Sequence, residues 1–174
     1  MPATSKKGAK RAAAPRDGED DVIDILTEDH RRVDDMFDEY EATKDESDDD
    51  AKEERVAAIC LALTVHATVE EELFYPAARD ALDEEDAEMI DEAEVEHSTV
   101  KDLIAELADM TPSDDLYDAK VKVLSEYVRH HVQEEEDQIF PAIRDTDLDL
   151  ETLGEDVAAR REQLMDEYQS EAEQ

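Results

Sequence analysis

Tryptophan is absent from this sequence, cysteine occurs once, and glycine only three times in 174 residues. The single cysteine, Cys60, excludes an intramolecular disulfide framework. Few glycines, five prolines and few aromatics, set against abundant Ala, Glu, Asp and Leu, favour helices over strands. Basic residues are also scarce: 18 Lys and Arg face 54 Asp and Glu, a formal charge of −36. Five of the 18 (Lys6, Lys7, Lys10, Arg11 and Arg16) fall in the first 18 residues beside Asp17 alone, so the rest of the chain carries −40. Such a body repels nucleic acid and anionic membranes. It suits a surface kept soluble in concentrated salt, where repulsion is screened within ~3 Å at 1 M. No apolar run approaches the ~20 residues of a membrane span, and the N-terminus has no apolar secretion segment. The expectation is a cytoplasmic protein of a halophilic cell, with no membrane or nucleic-acid partner.

What is present is a helical period. Ile23, Leu26, His30, Val33, Phe37 and Tyr40 recur at steps of three and four over 21–44. Val56, Ile59, Leu63, His66, Glu70 and Leu73 repeat the pattern over 50–80, as do Ile90, Ala93, His97, Val100, Ile104 and Leu107 over 85–110. Tyr117, Val121, Leu124, Val128, His131, Glu135 and Gln138/Ile139 do so over 113–144. Each stripe can pack one helix into a bundle. The breaks "KDESDDD", "ALDEED" and "MTPSDD" are short and rich in turn and cap residues. Short breaks make successive helices antiparallel, which predicts an all-α, up-down-up-down four-helix bundle. The expected organisation is a basic tail over 1–20, the bundle over 21–145, and an appended helix within 146–174. That last helix carries Leu153, Val157, Leu164, Met165 and Tyr168, and either packs on the bundle or mediates self-association.

The chain also repeats itself. "HATVEEELFYP" (66–76) and "HVQEEEDQIFP" (131–141) share His-x-x-x-Glu followed by an aromatic and Pro, and His30 and His97 lie on the preceding helices. Two facing hairpins follow, related by a pseudo-twofold axis. Imidazoles and carboxylates normally lie outside a core unless something pairs them. A lone stripe histidine is commonly a hydrogen-bonded core residue, and His66–Glu70 alone could be an intrahelical pair. The repeat, however, places all six groups at one level, roughly 18–27 Å along each helix from its loop. Four imidazoles and two carboxylates gathered there call for cations, and their mixed N/O donors suit iron, manganese or zinc. His130 sits one step off the stripe and reads as an exposed flank. Glu71, Glu72, Glu134 and Glu136 read as solvated acidic face, and Cys60 as packing beside the core. Pro76 and Pro141 should kink or end their helices just past the carboxylates.

The arrangement of His30, His66–Glu70, His97 and His131–Glu135, with "LTEDHRRVDDMF" and "EVEHSTVKDLI" around the first and third histidines, resembles the hemerythrin-like HHE cation-binding domains over 21–145. The resemblance implies that those six residues ligate two irons, bridged by Glu70 and Glu135, with manganese or zinc as lesser alternatives. It further implies that dioxygen or another diatomic is taken up at an open position. Oxygen-carrying members have a second histidine one turn on along the third helix, where this chain has Lys101. Glu94, in a Glu-x-x-His97 spacing, is one candidate for that place. The departure turns the expectation from oxygen storage toward sensing of oxygen, iron or nitric oxide. A di-iron oxidase or peroxidase using the same site is the alternative, although no residue reads as catalytic in itself.

Overall fold

The computed structural model describes residues 21–172, so the expected basic tail over 1–20 lies outside the described residues. Helix α1 is Val22–Thr43 and α2 is Asp49–Val69, each opened by an aspartate. Asp21 accepts from the Asp24 N–H at 3.0 Å and Asp48 from the Ala51 N–H at 2.9 Å, satisfying donors that a helix start leaves free. After α2 the chain makes one π-helical turn, Glu70–Phe74, and continues as α3, Tyr75–Ala81. Helix α4 is Glu88–Ala108 and α5 is Tyr117–Glu134, followed by a second π turn, Glu135–Ile139, and α6, Phe140–Arg144. Helix α7 is Leu150–Ala172, and no strand occurs among the described residues.

The two π turns answer the question of the prolines. Pro76 and Pro141 have no N–H to give, and each ring would clash with the carbonyl one turn back. Neither proline ends its helix. The chain instead widens by one residue, so that Tyr75 N–H reaches Glu70 O and Phe140 N–H reaches Glu135 O. The wider turn brings neighbouring residues inward together: Phe74 with Tyr75, and Ile139 with Phe140, are all buried. Leu73, expected on the stripe, is displaced to a half-buried position.

The core is two apolar plugs. One joins the start of α1 (Val22, Ile23, Leu26) to the end of α2 and α3 (Val69, Phe74, Tyr75), the start of α4 (Ile90, Ala93) and α6. The other joins the end of α1 (Val33, Phe37, Tyr40) to the start of α2 (Val56, Ile59, Leu63), the end of α4 and the start of α5. Starts meeting ends establishes the antiparallel bundle. At the second plug's rim, Asp118 of α5 accepts from the Tyr40 hydroxyl at 2.6 Å and from Lys52 at 3.0 Å, tying α1, α2 and α5 together. Helix α7 packs on the bundle with Val157 and Leu164 buried in the first plug. No described helix is long and apolar enough to cross a membrane.

Candidate metal centre

Between the plugs lies a polar waist. His30 separates Leu26 from Val33, His66 separates Leu63 from Val69, His97 separates Ala93 from Val100, and His131 follows Val128. All four imidazoles are buried, and Glu70 and Glu135 are 0 % exposed. The imidazoles form two pairs. His30 Nε2 and His66 Nε2 are 3.2 Å apart, and His97 Nε2 and His131 Nε2 are 3.0 Å apart. Each carboxylate reaches one imidazole of each pair. Glu70 Oε2 lies 3.2 Å from His66 Nε2 and 3.3 Å from His97 Nε2. Glu135 Oε2 lies 3.2 Å from His30 Nε2 and 3.5 Å from His131 Nε2. Two groups result, His30–His66–Glu70–Glu135 and Glu70–His97–His131, with the donor atoms of each within 4.8 Å of one another.

Such a cluster needs positive charge. Both oxygens of Glu70, and Oε2 of Glu135, are buried without a hydrogen bond. An ionised carboxylate in that condition is strongly disfavoured unless a cation or proton compensates it. The imidazoles respond accordingly. Burial pushes His30 down, but Glu135 and Glu136 outweigh it and lift the imidazole to about 10. Burial likewise opposes His131, which Glu135 and Glu96 lift to about 9. Burial pushes Glu135 up, yet His131 and His30 hold it well below the usual carboxylate range. Two cations in place of those protons would satisfy the same oxygens and free the imidazole lone pairs as donors. The residues present therefore fit a pair of metal ions.

Three of the four outer nitrogens are held by a second ring of acids that follows the internal repeat. Glu136, next to Glu135, lies 3.0 Å from His30 Nδ1, and Glu71, next to Glu70, lies 3.0 Å from His97 Nδ1. Glu96, just before His97, lies 2.8 Å from His131 Nδ1. Asp29, just before His30, stands 3.9 Å from His66 Nδ1. Carboxylates in these places set imidazole orientation and donor strength. Glu71 and Glu136, expected as solvated face, keep one edge in solvent but each meets a ring nitrogen of the waist, whereas Glu72 pairs with Arg160, and Glu134 lies 3.5 Å from the exposed His130. Lys101, standing where a further histidine was sought, donates to Glu71 at 2.6 Å and so buttresses His97 from outside.

Glu94 does not join the centre. Ala93 takes the inward position one turn before His97, and the half-exposed Glu94 carboxylate turns out to Arg79 at 3.2 Å. Inside the waist, sequence reasoning missed Tyr75. It is fully buried, and its hydroxyl donates to Glu135 Oε1 at 2.8 Å and lies 3.2 Å from His97 Nε2. Its counterpart in the repeat, Phe140, stacks on His30 at 5.7 Å. The Tyr/Phe difference before the two prolines was visible, but its inward direction depends on the π turn. Above the waist, the four imidazoles and the side chains of Val33, Leu63, Val100, Val128 and Val132 line a cavity of about 20 Å3, room for about one water-sized molecule. A cleft of about 370 Å3 between α1 and α5 opens onto His30.

A family model for the hemerythrin HHE cation binding domain matches residues 21–143, from the cap of α1 to the last turn of α6. The chain belongs to this family. Over 124 residues, 71% of its length, it is 32% identical to a protein named DNA nickase from Nostoc sp. (strain PCC 7120 / SAG 25.82 / UTEX 2576), and it spans only 33% of that protein. Its fold is similar to the crystal structure of a hemerythrin HHE cation binding domain-containing protein from Mycobacterium kansasii. That similarity has a TM-score of 0.68 and 26% identity, covering 83% of this chain and 86% of the other. Membership explains the repeat: this HHE domain writes one half of a cation-binding waist in each hairpin.

Proposed function

We propose that this protein holds a non-haem di-iron centre on His30, His66, Glu70, His97, His131 and Glu135, and uses it to bind or sense dioxygen or a similar diatomic. The observation that carries the reading is the pair of buried carboxylates, each spanning both imidazole pairs through an Oε2 that accepts no hydrogen bond. Imidazole and carboxylate together suit iron, with manganese or zinc as lesser alternatives. When bound, two irons would supply an open coordination position and electrons to a small ligand. The chain's own part is to orient and to exclude. Glu136, Glu71 and Glu96 fix three imidazole rings, while the two apolar plugs keep bulk water from the waist. The cavity beside the imidazoles suits a diatomic and is too small for an organic substrate.

A second reading, a di-iron oxidase or peroxidase, is favoured by Tyr75 alone. Its hydroxyl donates to Glu135 and so could deliver a proton within the centre. The test is optical. Anaerobic iron-loaded protein exposed to oxygen should develop a visible band that disappears when oxygen is removed; sustained consumption of hydrogen peroxide, lost in Tyr75→Phe, would favour the enzyme instead. The charge of −36 opposes a phosphate backbone, so the proposal includes no DNA partner, and the same charge fits a cytoplasm with concentrated salt.

A further inference from the structure

Three of the four imidazoles have a carboxylate within hydrogen-bonding distance of Nδ1, and the fourth does not. Glu136, Glu71 and Glu96 stand 2.8–3.0 Å from theirs, but His66 Nδ1 is buried with no hydrogen-bond partner and Asp29 at 3.9 Å. Two features of the chain account for the gap. Asp29 is one methylene shorter than Glu96, its counterpart in the repeat. Its carboxylate is also engaged from the other side, where Arg161 of α7 donates to Oδ1 at 2.7 Å. A cation partner does not by itself detach an acid from its histidine, since a single oxygen of Glu71 serves both Lys101 and His97. At Asp29 the shorter arm cannot span both. Helix α7 is held in place by buried Val157 and Leu164 and by Arg160 on Glu72, and it lies beyond the residues that the family model matches. A space of about 290 Å3 between α1, α2 and α7, lined by Asp29, His66 and Arg161, leaves room for the carboxylate to turn.

We infer that Arg161 is a positioning residue: by holding Asp29 away from His66 Nδ1, α7 keeps the affinity of the cation position served by His66 below what its ligands would otherwise give. An imidazole whose outer N–H meets no acceptor is a poorer donor to metal, and partners of this kind are worth about 10–100-fold in affinity. The inference rests on the metal reading above and adds to it a control exerted by the appended helix.

The test is an anaerobic Co(II) titration of the full chain against a competing chelator, read from the visible cobalt bands, which report the donor set and geometry at each cation position. In Asp29→Glu the added methylene gives about 1.5 Å of reach, the Arg161 ion pair is kept, and one of the two cobalt affinities should tighten about tenfold with a change in its band. Arg161→Gln should tighten the same step, because the largely buried Asp29 is left with His66 as its partner; the double variant Asp29→Ala, Arg161→Gln should lose that gain. Unchanged affinities in Asp29→Glu would overturn the inference. A response to Asp29→Glu without one to Arg161→Gln would overturn the role given to α7. Parent protein that takes up no cobalt would instead bring down the metal reading itself.

Discussion

Changing Glu70→Gln keeps the side chain's shape and removes its charge, and the structure predicts a stability effect whose sign depends on metal. Glu70 is fully buried and neither oxygen accepts a hydrogen bond. Without a cation, a buried ionisable group in that state costs about 1–3 kcal/mol. A glutamine amide, by contrast, can donate to an unprotonated imidazole nitrogen beside it. Chelator-treated Glu70→Gln should therefore be more stable than the chelator-treated parent. At roughly 2–4 °C per kcal/mol for a chain of this size, its Tm should rise by about 2–12 °C. With metal in excess the order reverses. Each of two cations present at a hundred times its Kd adds about 2.7 kcal/mol to the parent, about 5.4 kcal/mol together. The variant, short of a shared ligand, forgoes most of that, which exceeds its gain of about 1–3 kcal/mol. Thermal unfolding followed by circular dichroism in concentrated KCl, with iron(II) under nitrogen and with chelator, reads both halves. A variant less stable than the parent in both buffers would show that Glu70 is a structural residue and refute the argument.

Two further predictions concern single residues. His66→Ala should lower metal content and Tm together in iron-replete buffer, whereas His130→Ala, on the exposed flank, should change neither; the opposite pattern by metal analysis would mean that the waist is misassigned. Asp118 supplies a pH dependence away from the centre. Burial pushes its carboxyl up, but Lys52 and the Tyr40 hydroxyl outweigh this and hold it below the usual range. A depressed carboxyl contributes stability that is present above its unfolded pKa of about 3.8 and is lost as pH falls through the lower folded value. Lys52→Met removes the cation, so its acid unfolding should begin at a higher pH than the parent's; coincident acid transitions would contradict this.

Much of this was legible in the residues themselves. The stripes place His30, His66, Glu70, His97, His131 and Glu135 inward because a helix repeats every 3.6 residues and the neighbouring Val, Ile and Leu mark the face. The same logic held at Ile139 but failed beyond Glu70, where the π turn before Pro76 displaces Leu73 and turns Phe74 and Tyr75 inward together, which hid Tyr75. The acids that hold the outer nitrogens were hidden for a different reason. With 54 Asp and Glu in the chain, Glu71 and Glu136 carry no contrast against a surface that is acidic everywhere, and only the packed helices separate them from Glu72 and Glu134. Glu94 misled because its spacing to His97 is one that di-metal bundles use, while in this chain Ala93 holds the inward place.

Whether two metal ions occupy the waist can be read most directly by counting iron, manganese and zinc per chain in protein purified at high salt. About two ions per chain, predominantly iron and reduced by Glu70→Gln, is the predicted result. A chain that stays empty of all three after anaerobic iron(II) reconstitution, while fully folded, would contradict it.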